Sequence, residues 1–499
     1  MLASFVAFLD GSVVNLALPA IARDLGGGLA LQQWVVDGYL LALGALILVA
    51  GAVSDQYGRL AVLRAGLVLF AVSSLLCAAA PTGWVLVAAR CLQGVGAAFL
   101  VPSSLAMINS RFTGERQASA IGTWTAWTGT AFVVGPPLGG LLVDALNWRW
   151  VFGLNVVPVV VTLYLTTKLG SEGRSEATRE GVSEGRSEAT REGVSEGRSE
   201  ATREVGSGEV GARNPGSIDV VGGVLGAAGL SATVYALIEQ QRLGFAHPAV
   251  LAGLACGLVC LVAFPFWERR AANPMMPLTL FAERNFAVGN LATVFFYAAV
   301  SLGILIVALF LQEVVGLTAT EAGLATLPIP VLSFFLARPF GALAGRHGPR
   351  LYMAIGPVVA GSGYLLMTSA REDFDFWTQL LPGLVVFGLG LSITVSPLTA
   401  AVLAAVDPAQ SGIGSAVNNA VSRIAGLVAV ALMGVILGGS LDFAGFRQGA
   451  LVVAVLFAIA GLCSAVGISN AKHDAGRVSV AAAATCQDRA SPPPALRSG

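Results

Sequence analysis

The stretch FVVGPPLGG, residues 132–140, lies inside a long apolar run of the sequence. Its Gly and Pro residues are costly in an ordinary helix, at about 1 kcal/mol for each Gly and about 3 kcal/mol for each Pro relative to Ala. Gly135 and Gly139 are four residues apart, and glycines at that spacing let a second helix approach closely. Pro136 removes a backbone hydrogen bond and allows a kink. The stretch, which ends at Gly140, therefore predicts a bent, close-packing helix inside a membrane.

The composition is that of a multi-pass membrane protein. The chain has 499 residues, of which 55% are hydrophobic and 12% charged, about half the charged fraction of a soluble domain. Apolar runs of about 20 residues, long enough to cross a bilayer, recur along the whole chain. They are expected to be helices, because lipid offers backbone polar groups no other partner. The formal net charge is zero, so nothing indicates nucleic-acid binding.

Apolar length and the turns between apolar runs predict fourteen transmembrane helices. We expect an all-α polytopic membrane protein with two six-helix bundles and two accessory helices between them. The predicted parts are a first bundle at 1–169, a linker at 170–217, the accessory pair at 218–267, a second bundle at 286–470 and a tail at 471–499.

Residues 171–204 interrupt the apolar pattern. The twelve-residue unit SEGRSEATREGV begins at Ser171, repeats from Ser183 and starts again at Ser195. It has almost no apolar residue to bury, so we expect a disordered cytoplasmic linker. Expansion of a tolerant segment and a regulatory or binding role are both open. The Pro-rich tail is expected to be disordered and cytoplasmic as well.

Arginine placement predicts the orientation of the chain in the membrane. One set of alternate loops holds eight arginines and the other holds five, and Arg-rich loops stay in the cytoplasm. We therefore expect a cell-membrane protein with both termini cytoplasmic. The first span begins at Met1 without a basic leader, so no cleavable signal peptide is evident. The first set is Arg59, Arg111, Arg116, Arg269, Arg270, Arg284, Arg346 and Arg350, and the second is Arg23, Arg149, Arg242, Arg371 and Arg447.

Two carboxylates lie within predicted spans. The first span contains LDGSVVNLALP, residues 9–19, which places Asp10 and Asn15 in an apolar helix. An isolated carboxylate in that setting takes up a proton, which is the behaviour that proton coupling requires. A structural hydrogen bond to a neighbouring helix is the alternative for Asp10. Asp37, which opens the second span in WVVDGYLL, is either another protonation site or an interface residue.

The fourth span contains an arginine. It reads LVAARCLQGVGAA, residues 86–98, with Arg90, Gln93 and Gly94. An arginine within a span costs roughly 2.5–3.5 kcal/mol on insertion scales, which favours a paired or solvated group with a function. A side chain that extends to the membrane interface is the alternative.

The two halves of the chain repeat one loop pattern. GAVSDQYGR, residues 51–59, follows the second span, and GALAGRHGPR, residues 341–350, follows the tenth. Corresponding features in two halves are typical of a duplicated transporter fold. Glycines permit a tight turn there, while the acidic and basic side chains can contact a helix terminus and the neighbouring bundle. The positions in the first copy are Gly51, Asp55, Gly58 and Arg59.

With these motifs the chain resembles the major facilitator superfamily and, more narrowly, its fourteen-span drug:proton antiporters of the EmrB/QacA type. The resemblance covers roughly residues 1–470 apart from the repeat linker. It implies a monomeric exporter of drugs or other amphipathic small molecules, driven by the proton gradient and without a cofactor. Its partners would be the substrate, protons and the lipid bilayer.

The resemblance also implies roles for the motif residues. It places Arg90 at the proton-coupling step, makes the loop a conformational latch and makes the fifth span the helix that seals or hinges the exporter. The sequence departs from the family at Ala131 in the fifth span and at Gly345, which takes the Asp position of the second loop. The conformational residues are Gly51, Asp55, Gly58, Arg59, Gln93, Gly94, Gly135, Pro136, Gly139 and Gly140.

Several polar and aromatic residues within the spans are candidates for a substrate cavity. Arg338 and Arg423 lie deep in predicted spans and need partners there. Packing or interface anchoring is the alternative for the aromatic residues. The candidates are Asn15, Trp124, Trp127, Arg338, Asn418, Asn419 and Arg423.

Other functions are weighed against the same residues. A transporter of one metabolite, such as an antibiotic, a siderophore, a sugar or an anion, remains open, although the GP and GG pairs argue against an importer. An ATP-driven pump or enzyme is excluded, because the sequence contains no Gly-Lys pair for a phosphate-binding loop. The six cysteines form no CxxC pair, so we expect no metal site. A sensor with the linker as its output element is a further alternative.

Overall fold

The computed structural model describes residues 2–111, 114–167, 219–272, 274–407 and 410–470. The predictions for the linker 170–217 and the tail 471–499 fall outside the described residues. The side chains of Asp55 and Trp124 lie outside the description as well.

Six long helices form the first half of the protein. Short turns join them, and α6 contains a turn at residues 154–155. Their bounds are α1 (Leu2–Leu25), α2 (Gly28–Tyr57), α3 (Arg59–Ala78), α4 (Gly83–Arg111), α5 (Gly114–Ala145) and α6 (Arg149–Thr167).

Two accessory helices and six further helices follow. The short 3-10 helix Leu278–Ala282 connects the accessory pair to the second half. The bounds are α7 (Val220–Leu243), α8 (Pro248–Glu268), α9 (Arg284–Val314), α10 (Ala319–His347), α11 (Arg350–Met367), α12 (Phe376–Ala404), α13 (Ser411–Ala431) and α14 (Phe443–Gly467).

The described part of the chain contains twelve helices that are long and apolar enough to cross a membrane. All of its long elements are helices, as the apolar runs predict. The helices α5 and α11 pack in the same two bundles but are not among the twelve. The number of fourteen membrane crossings therefore stays a prediction.

Local sequence sets several helix ends. Asp219 begins α7 by accepting a hydrogen bond from the Gly222 backbone N–H at 2.8 Å. Asp442 begins α14 in the same way, accepting from the Gly445 N–H at 2.7 Å. A side chain that accepts from the first free N–H groups is the usual N-cap. These two aspartates make matched local contacts at different places in the fold.

The repeated loops have the same backbone geometry. Gly58 turns the chain from α2 into α3 with φ 92°, and Gly348 turns it from α10 into α11 with φ 87°. Such φ values are open to glycine at no steric cost. The predicted correspondence between the two loops is therefore confirmed at the level of the backbone.

Two ends of the helix bundle are named here after one residue each. The Asp144 end is where α5 ends, and the Gly58 end is where α2 ends. Side-chain hydrogen bonds join the two halves at the Asp144 end. They run from Gln32 to Glu313, from Gln33 to the Val430 and Ala431 carbonyls, and from the Ala319 and Thr320 N–H groups to Asp144.

The glycines of FVVGPPLGG place α5 against two neighbours. A Cβ on Gly139 would lie 2.8 Å from a Val13 side-chain atom, and a Cβ on Gly135 would collide with Ser12, so this face packs on α1. A Cβ on Gly140 would collide with the Ala319 carbonyl of the second half. The helix runs without a break through both prolines. The predicted close packing is confirmed, and it joins α5 both to α1 and to α10.

The accessory pair lies beside the contact between the two halves. Leu230 and Val234 of α7 pack with Leu427 and Ala431 of α13 in one apolar cluster. From α2, Trp34 donates a hydrogen bond to Glu239 at 3.1 Å, and Gln33 accepts one from Gln241 of α7 at 2.8 Å. The pair is thus in contact with one helix from each half.

Candidate functional site

The centre of the first half contains a buried ion pair. Arg90 of α4 donates through Nη1 to Asp10 Oδ2 of α1 at 2.6 Å. Arg90 is 1% exposed and Asp10 is fully buried. The sequence motifs on spans 1 and 4 therefore meet in space.

Two amides complete the coordination of the Asp10 carboxylate. Gln93 and Asn155 donate to Asp10 Oδ1 at 2.9 and 2.7 Å. Gln93 also donates to Ser74 of α3 at 2.8 Å and accepts from Arg90 at 2.6 Å. The carboxylate thus accepts three hydrogen bonds, one of them from a cation.

Aromatic rings and a backbone carbonyl enclose the guanidinium. Arg90 Nε donates to the Val35 carbonyl at 3.0 Å. Its guanidinium carbon lies 4.4 Å from the Tyr39 ring centroid and 5.7 Å from that of Phe152. A buried ion pair is tolerated only when such additional contacts satisfy its remaining polar atoms. Arg90 does not extend to the membrane interface, so that alternative is wrong.

The expectation that Asp10 is an isolated carboxylate is wrong. Pairing with Arg90 and the two amide donors leaves neither carboxylate oxygen without a partner. Asn155 was not identified from the sequence. The available signal was a lone amide inside the apolar sixth span, and polar residues at such positions are costly and often functional.

The opposite face of α1 is open. Gly11 is exposed, and a Cβ placed on it would have no atom within 4 Å. Asn15 lies four residues later on that same face and is half-buried. Asn15 and Asp10, predicted in one motif, therefore point to different surroundings.

Asp37 is buried between the two halves. The Gln33 amide reaches the Val430 carbonyl of α13 at 2.7 Å, and a Cβ on Gly44 would lie 3.6 Å from Arg423 Cβ. Positions 33, 37 and 44 share one face of α2, because steps of four and seven residues are close to whole turns. Asp37 consequently faces α13.

The Asp37 carboxylate has no hydrogen-bond partner among the described residues. It is fully buried, and both of its oxygens lack a donor. Because α2 begins at Gly28, Asp37 lies more than two turns inside the helix. The carboxylate is therefore enclosed by protein well inside α2, and its role as a protonation site stays a prediction.

Aromatic side chains and one arginine lie where the first half meets the second. The Arg423 guanidinium carbon lies 5.2 Å from the Phe8 ring centroid, an approach typical of a cation–π contact. Phe8 also contacts Phe132 at 5.7 Å, and Phe5 contacts Trp127 at 6.0 Å between ring centroids. The structure thus brings two predicted cavity residues, Trp127 and Arg423, next to aromatic rings of α1.

The remaining predicted cavity residues do not form one cluster. Arg338 is exposed and makes no hydrogen bond with other described residues, so the partner expected for it is not found there. Asn418 instead donates to Asn290 at 3.1 Å and to Thr293 at 3.0 Å inside the second half. Asn419 is half-buried beside it in the chain.

The loop and span 4 glycines have different surroundings. A Cβ on Gly94 would lie 2.9 Å from Ala42 Cβ of α2, so Gly94 allows α4 to pack closely on α2. A Cβ on Gly51 would have no atom within 4 Å. Arg59 begins α3 and is half-buried. Gly94 is thus required by packing in this conformation, and Gly51 is not.

The polar contacts at the Asp144 end include two carboxylates. Asp144 accepts from the Ala319 N–H at 3.2 Å and from the Thr320 N–H at 2.7 Å. Partial burial acts to raise the pKa of Asp144, but hydrogen bonds from Thr320 and Ala319 outweigh burial and leave the pKa below its ordinary value. Gln32 donates to Glu313 at 2.5 Å nearby. These contacts hold the two halves together at this end.

The sequence matches one family over almost its whole length. The Major Facilitator Superfamily model matches residues 1–282 and 290–494. A puromycin resistance protein of Streptomyces alboniger is 33% identical over 450 residues, covering 88% of this chain and 80% of that protein. The multidrug resistance protein Stp of Mycobacterium tuberculosis is 31% identical, covering 88% of this chain and 74% of that protein.

A solved structure agrees with this assignment at the level of the fold. The D-xylose–proton symporter superposes with a TM-score of 0.62 at 13% identity, covering 94% of this chain and 96% of that chain. Apolar helices, two related halves and the family match agree with one another. The chain therefore belongs to the Major Facilitator Superfamily and is a multi-pass membrane transporter, not an enzyme.

Proposed function

We propose that this transporter is a proton-coupled antiporter that exports amphipathic small molecules across the cell membrane by alternating access. The observation that carries the proposal is the buried Asp10–Arg90 ion pair, with Gln93 and Asn155 on the same carboxylate. A protein keeps such groups in an apolar core at an energetic cost, and a role in proton exchange accounts for that cost. The proton gradient supplies the energy, and no cofactor takes part.

Proton binding at Asp10 changes the contacts of three helices. The carboxylate accepts three hydrogen bonds from α4 and α6, and a proton on it weakens these bonds and cancels the charge that faces Arg90. Arg90 then retains the Val35 carbonyl and Gln93 but loses its counter-charge. Loss of this counter-charge favours a conformation in which other groups contact Arg90. Protonation thus shifts the population between two arrangements of α1, α4 and α6.

Asp37 is proposed as a second proton-binding group. Its oxygens have no donors in the contact between α2 and α13, so the neutral carboxyl fits this closed contact better than the carboxylate. Loss of the proton favours an arrangement in which water reaches Asp37. The two carboxylates therefore differ in their response to protons, since a proton weakens existing hydrogen bonds at Asp10 and disturbs none among the described residues at Asp37.

The glycine-rich face of α5 is proposed as the surface on which the halves open and close. Gly140 and Asp144 contact α10 at the Asp144 end. The arginine distribution favours a cytoplasmic Gly58 end, which makes the Asp144 end external. The described conformation then has its halves joined on the outside, and export requires those contacts to separate.

The contact between the halves also suggests the substrate surface. Phe8, Trp127 and Phe132 provide apolar rings, and Arg423 provides a positive charge. Rings and a single charge suit partly apolar molecules of moderate size. The substrate would bind between α1, α5 and α13, on the side of α1 opposite Asp10.

The test is transport into everted membrane vesicles, in which the cytoplasmic face is outside. Amphipathic fluorescent dyes, one cationic and one anionic, are added with an imposed proton gradient. At least one dye is expected to accumulate, and a protonophore is expected to abolish the accumulation. Accumulation that persists after the protonophore, or that occurs only in right-side-out vesicles, contradicts the proposal.

A second candidate is export of one natural product, and the relatives motivate it. One similar protein is named for puromycin resistance and the other for multidrug resistance. A susceptibility screen of an efflux-deficient host distinguishes the two. Protection against several unrelated compounds supports the multidrug function, and protection against one compound class supports the specific exporter.

A further inference from the structure

Two acidic side chains meet at the Gly58 end of the accessory pair. Asp219 caps α7, and its Oδ1 accepts from the Gly222 N–H and from Trp267 Nε1, each at 2.8 Å. Its other oxygen, Oδ2, is buried and has no hydrogen-bond partner among the described residues. The N-cap role therefore uses only one of the two carboxylate oxygens.

Glu268 is the second member of this site. It is the last residue of α8 and is only 3% exposed, which is unusual for a glutamate. Its Oε2 accepts from the Met276 N–H at 3.1 Å, whereas Oε1 is buried without a donor in the described part of the chain. Glu268 thus repeats the pattern of Asp219, with one oxygen bonded and one without a partner.

The two unpartnered oxygens lie beside the same residue, Gly222. A Cβ placed on Gly222 would lie 2.5 Å from Asp219 Oδ2 and 2.8 Å from Glu268 Oε1. Both oxygens therefore crowd one side of the same glycine. Any larger side chain at position 222 would push the two carboxylates out of this arrangement.

No described cation faces the pair. Arg269 and Arg270, which follow Glu268, are exposed and form no ion pair with other described residues. The uncharged side chains of Val49, from α2, and Met275, from the segment 269–283 between α8 and α9, lie beside Gly223. From α7 and α8 the only titratable groups at the site are the two carboxylates themselves. Two neighbouring carboxylates, each with one buried oxygen and no described cation beside it, do not both stay ionised.

We propose that Asp219 and Glu268 bind a single proton between them. One proton removes one of the two negative charges, and rotation of either carboxyl group would bring the unpartnered oxygens into an O–H···O hydrogen bond. The site is separate from Asp10 and Asp37 and does not depend on the proposed transport function. It links α7 and α8 to Met276, which lies in the segment that leads from α8 into the second half.

The sign of the pH effect follows from this arrangement. The folded pair retains a proton that the same groups release when the chain unfolds. The stabilisation is therefore complete at low pH and is lost as the pH rises and the shared proton leaves. Above that point the negative charges of Asp219 and the buried Glu268 repel each other at the base of the accessory pair.

The test is thermal unfolding of the full-length protein in detergent micelles from pH 5 to pH 9, in a buffer without divalent cations. Glu268→Gln places an amide donor opposite Asp219, and Asp219→Asn places one opposite Glu268. Each variant is expected to reduce the fall in melting temperature with rising pH that the unchanged protein shows. Asp442→Asn is the control, since Asp442 makes the same N-cap contact without a facing carboxylate.

Two results would overturn the proposal. One is a pH dependence in Glu268→Gln and Asp219→Asn equal to that of the unchanged protein. The other is a saturable rise in melting temperature on adding Na⁺, Mg²⁺ or Ca²⁺ at high pH that Glu268→Gln abolishes, because a bound cation would then replace the proton. Melting is measured without substrate, so failure here leaves the export proposal untouched.

Discussion

The two halves share a helical plan but differ in the chemistry of their centres. In the first half, Asp10 and Arg90 form a fully buried ion pair. In the second half, Asn418 bonds to Asn290 and Thr293, all of them neutral. The first cluster links α1 to α4 and α6, and the second links α9 to α13. The difference indicates that one half carries the charge and the other supplies a neutral counterpart.

The two halves also differ in their aromatic packing. The second half contains a ring cluster in which Phe387 and Phe457 lie 5.0 and 6.1 Å from Tyr364 between ring centroids. Aromatic pairs at such distances stabilise a single arrangement. The first half surrounds its ion pair with the Tyr39 and Phe152 rings and with two amides, whose hydrogen bonds can be exchanged. The charged centre is thus the part of the molecule suited to change with protonation.

The largest expected effect is on stability when one charge of the pair is removed. Arg90→Gln leaves Asp10 buried and uncompensated, and breaking such a pair costs about 3–5 kcal/mol. The double variant Asp10→Asn with Arg90→Gln removes both charges and is expected to recover much of that loss. The melting temperatures of Arg90→Gln, Asp10→Asn and the double variant are measured in detergent.

Asn418→Ala supplies the comparison from the neutral cluster. It removes hydrogen bonds between uncharged groups and is expected to cost about 1 kcal/mol. If Arg90→Gln melts no lower than Asn418→Ala, or if the double variant melts below both of its single variants, the halves do not differ as described.

A smaller effect is expected where the halves touch. In Gly140→Ala the new methyl group meets the Ala319 carbonyl, and crowding of this kind costs about 1–3 kcal/mol. The Asp144 end should therefore open more often. The rate of disulfide formation between Gln32→Cys and Glu313→Cys, in a chain without other cysteines, measures how often the Asp144 end is closed. This rate should be lower when Gly140→Ala is added.

Gly51→Ala is the matched control for Gly140. A Cβ at Gly51 has no atom within 4 Å, so the same substitution should leave the cross-linking rate unchanged. Equal rates in the two variants would show that Gly140 does not control closure of the Asp144 end.

The smallest expected effect is a pH dependence at Asp144. Its pKa is below the ordinary value because hydrogen bonds from Thr320 and Ala319 outweigh partial burial. A lowered pKa contributes stability that is present above the unfolded-state pKa and is lost as the pH falls through the folded-state pKa. Melting temperature measured on the acid side should therefore fall less steeply in Asp144→Asn. If the melting temperature of Asp144→Asn falls on the acid side as steeply as that of the unchanged protein, Asp144 does not have this role.

The sequence identifies charged residues within apolar spans better than it identifies the residues that contact them. Asp10 and Arg90 stand out because charges are rare in apolar spans, yet they are 80 positions apart and nothing local indicates that they pair. Asn155 completes the site from a third helix and was missed for that reason. Long-range contacts of this kind depend on packing, which single-span patterns do not specify.

Helix packing was predicted where glycine spacing specifies it. The four-residue spacing of Gly135 and Gly139 correctly indicated a close helix neighbour, although not that α1 is that neighbour. Burial was less predictable. Glu239 lies near the end of an apolar run, yet it is 4% exposed and accepts a hydrogen bond from Trp34. The end of an apolar run does not reveal whether another helix covers it.

The most direct test of the central claim is substrate-induced proton movement in everted vesicles, followed with a pH-sensitive dye. Addition of a transported substrate should collapse part of the imposed proton gradient in the unchanged protein and in Asn290→Ala. Asp10→Asn, present in the membrane at the same level, should give no such collapse. A normal collapse in Asp10→Asn would contradict the claim that the Asp10–Arg90 pair couples transport to protons.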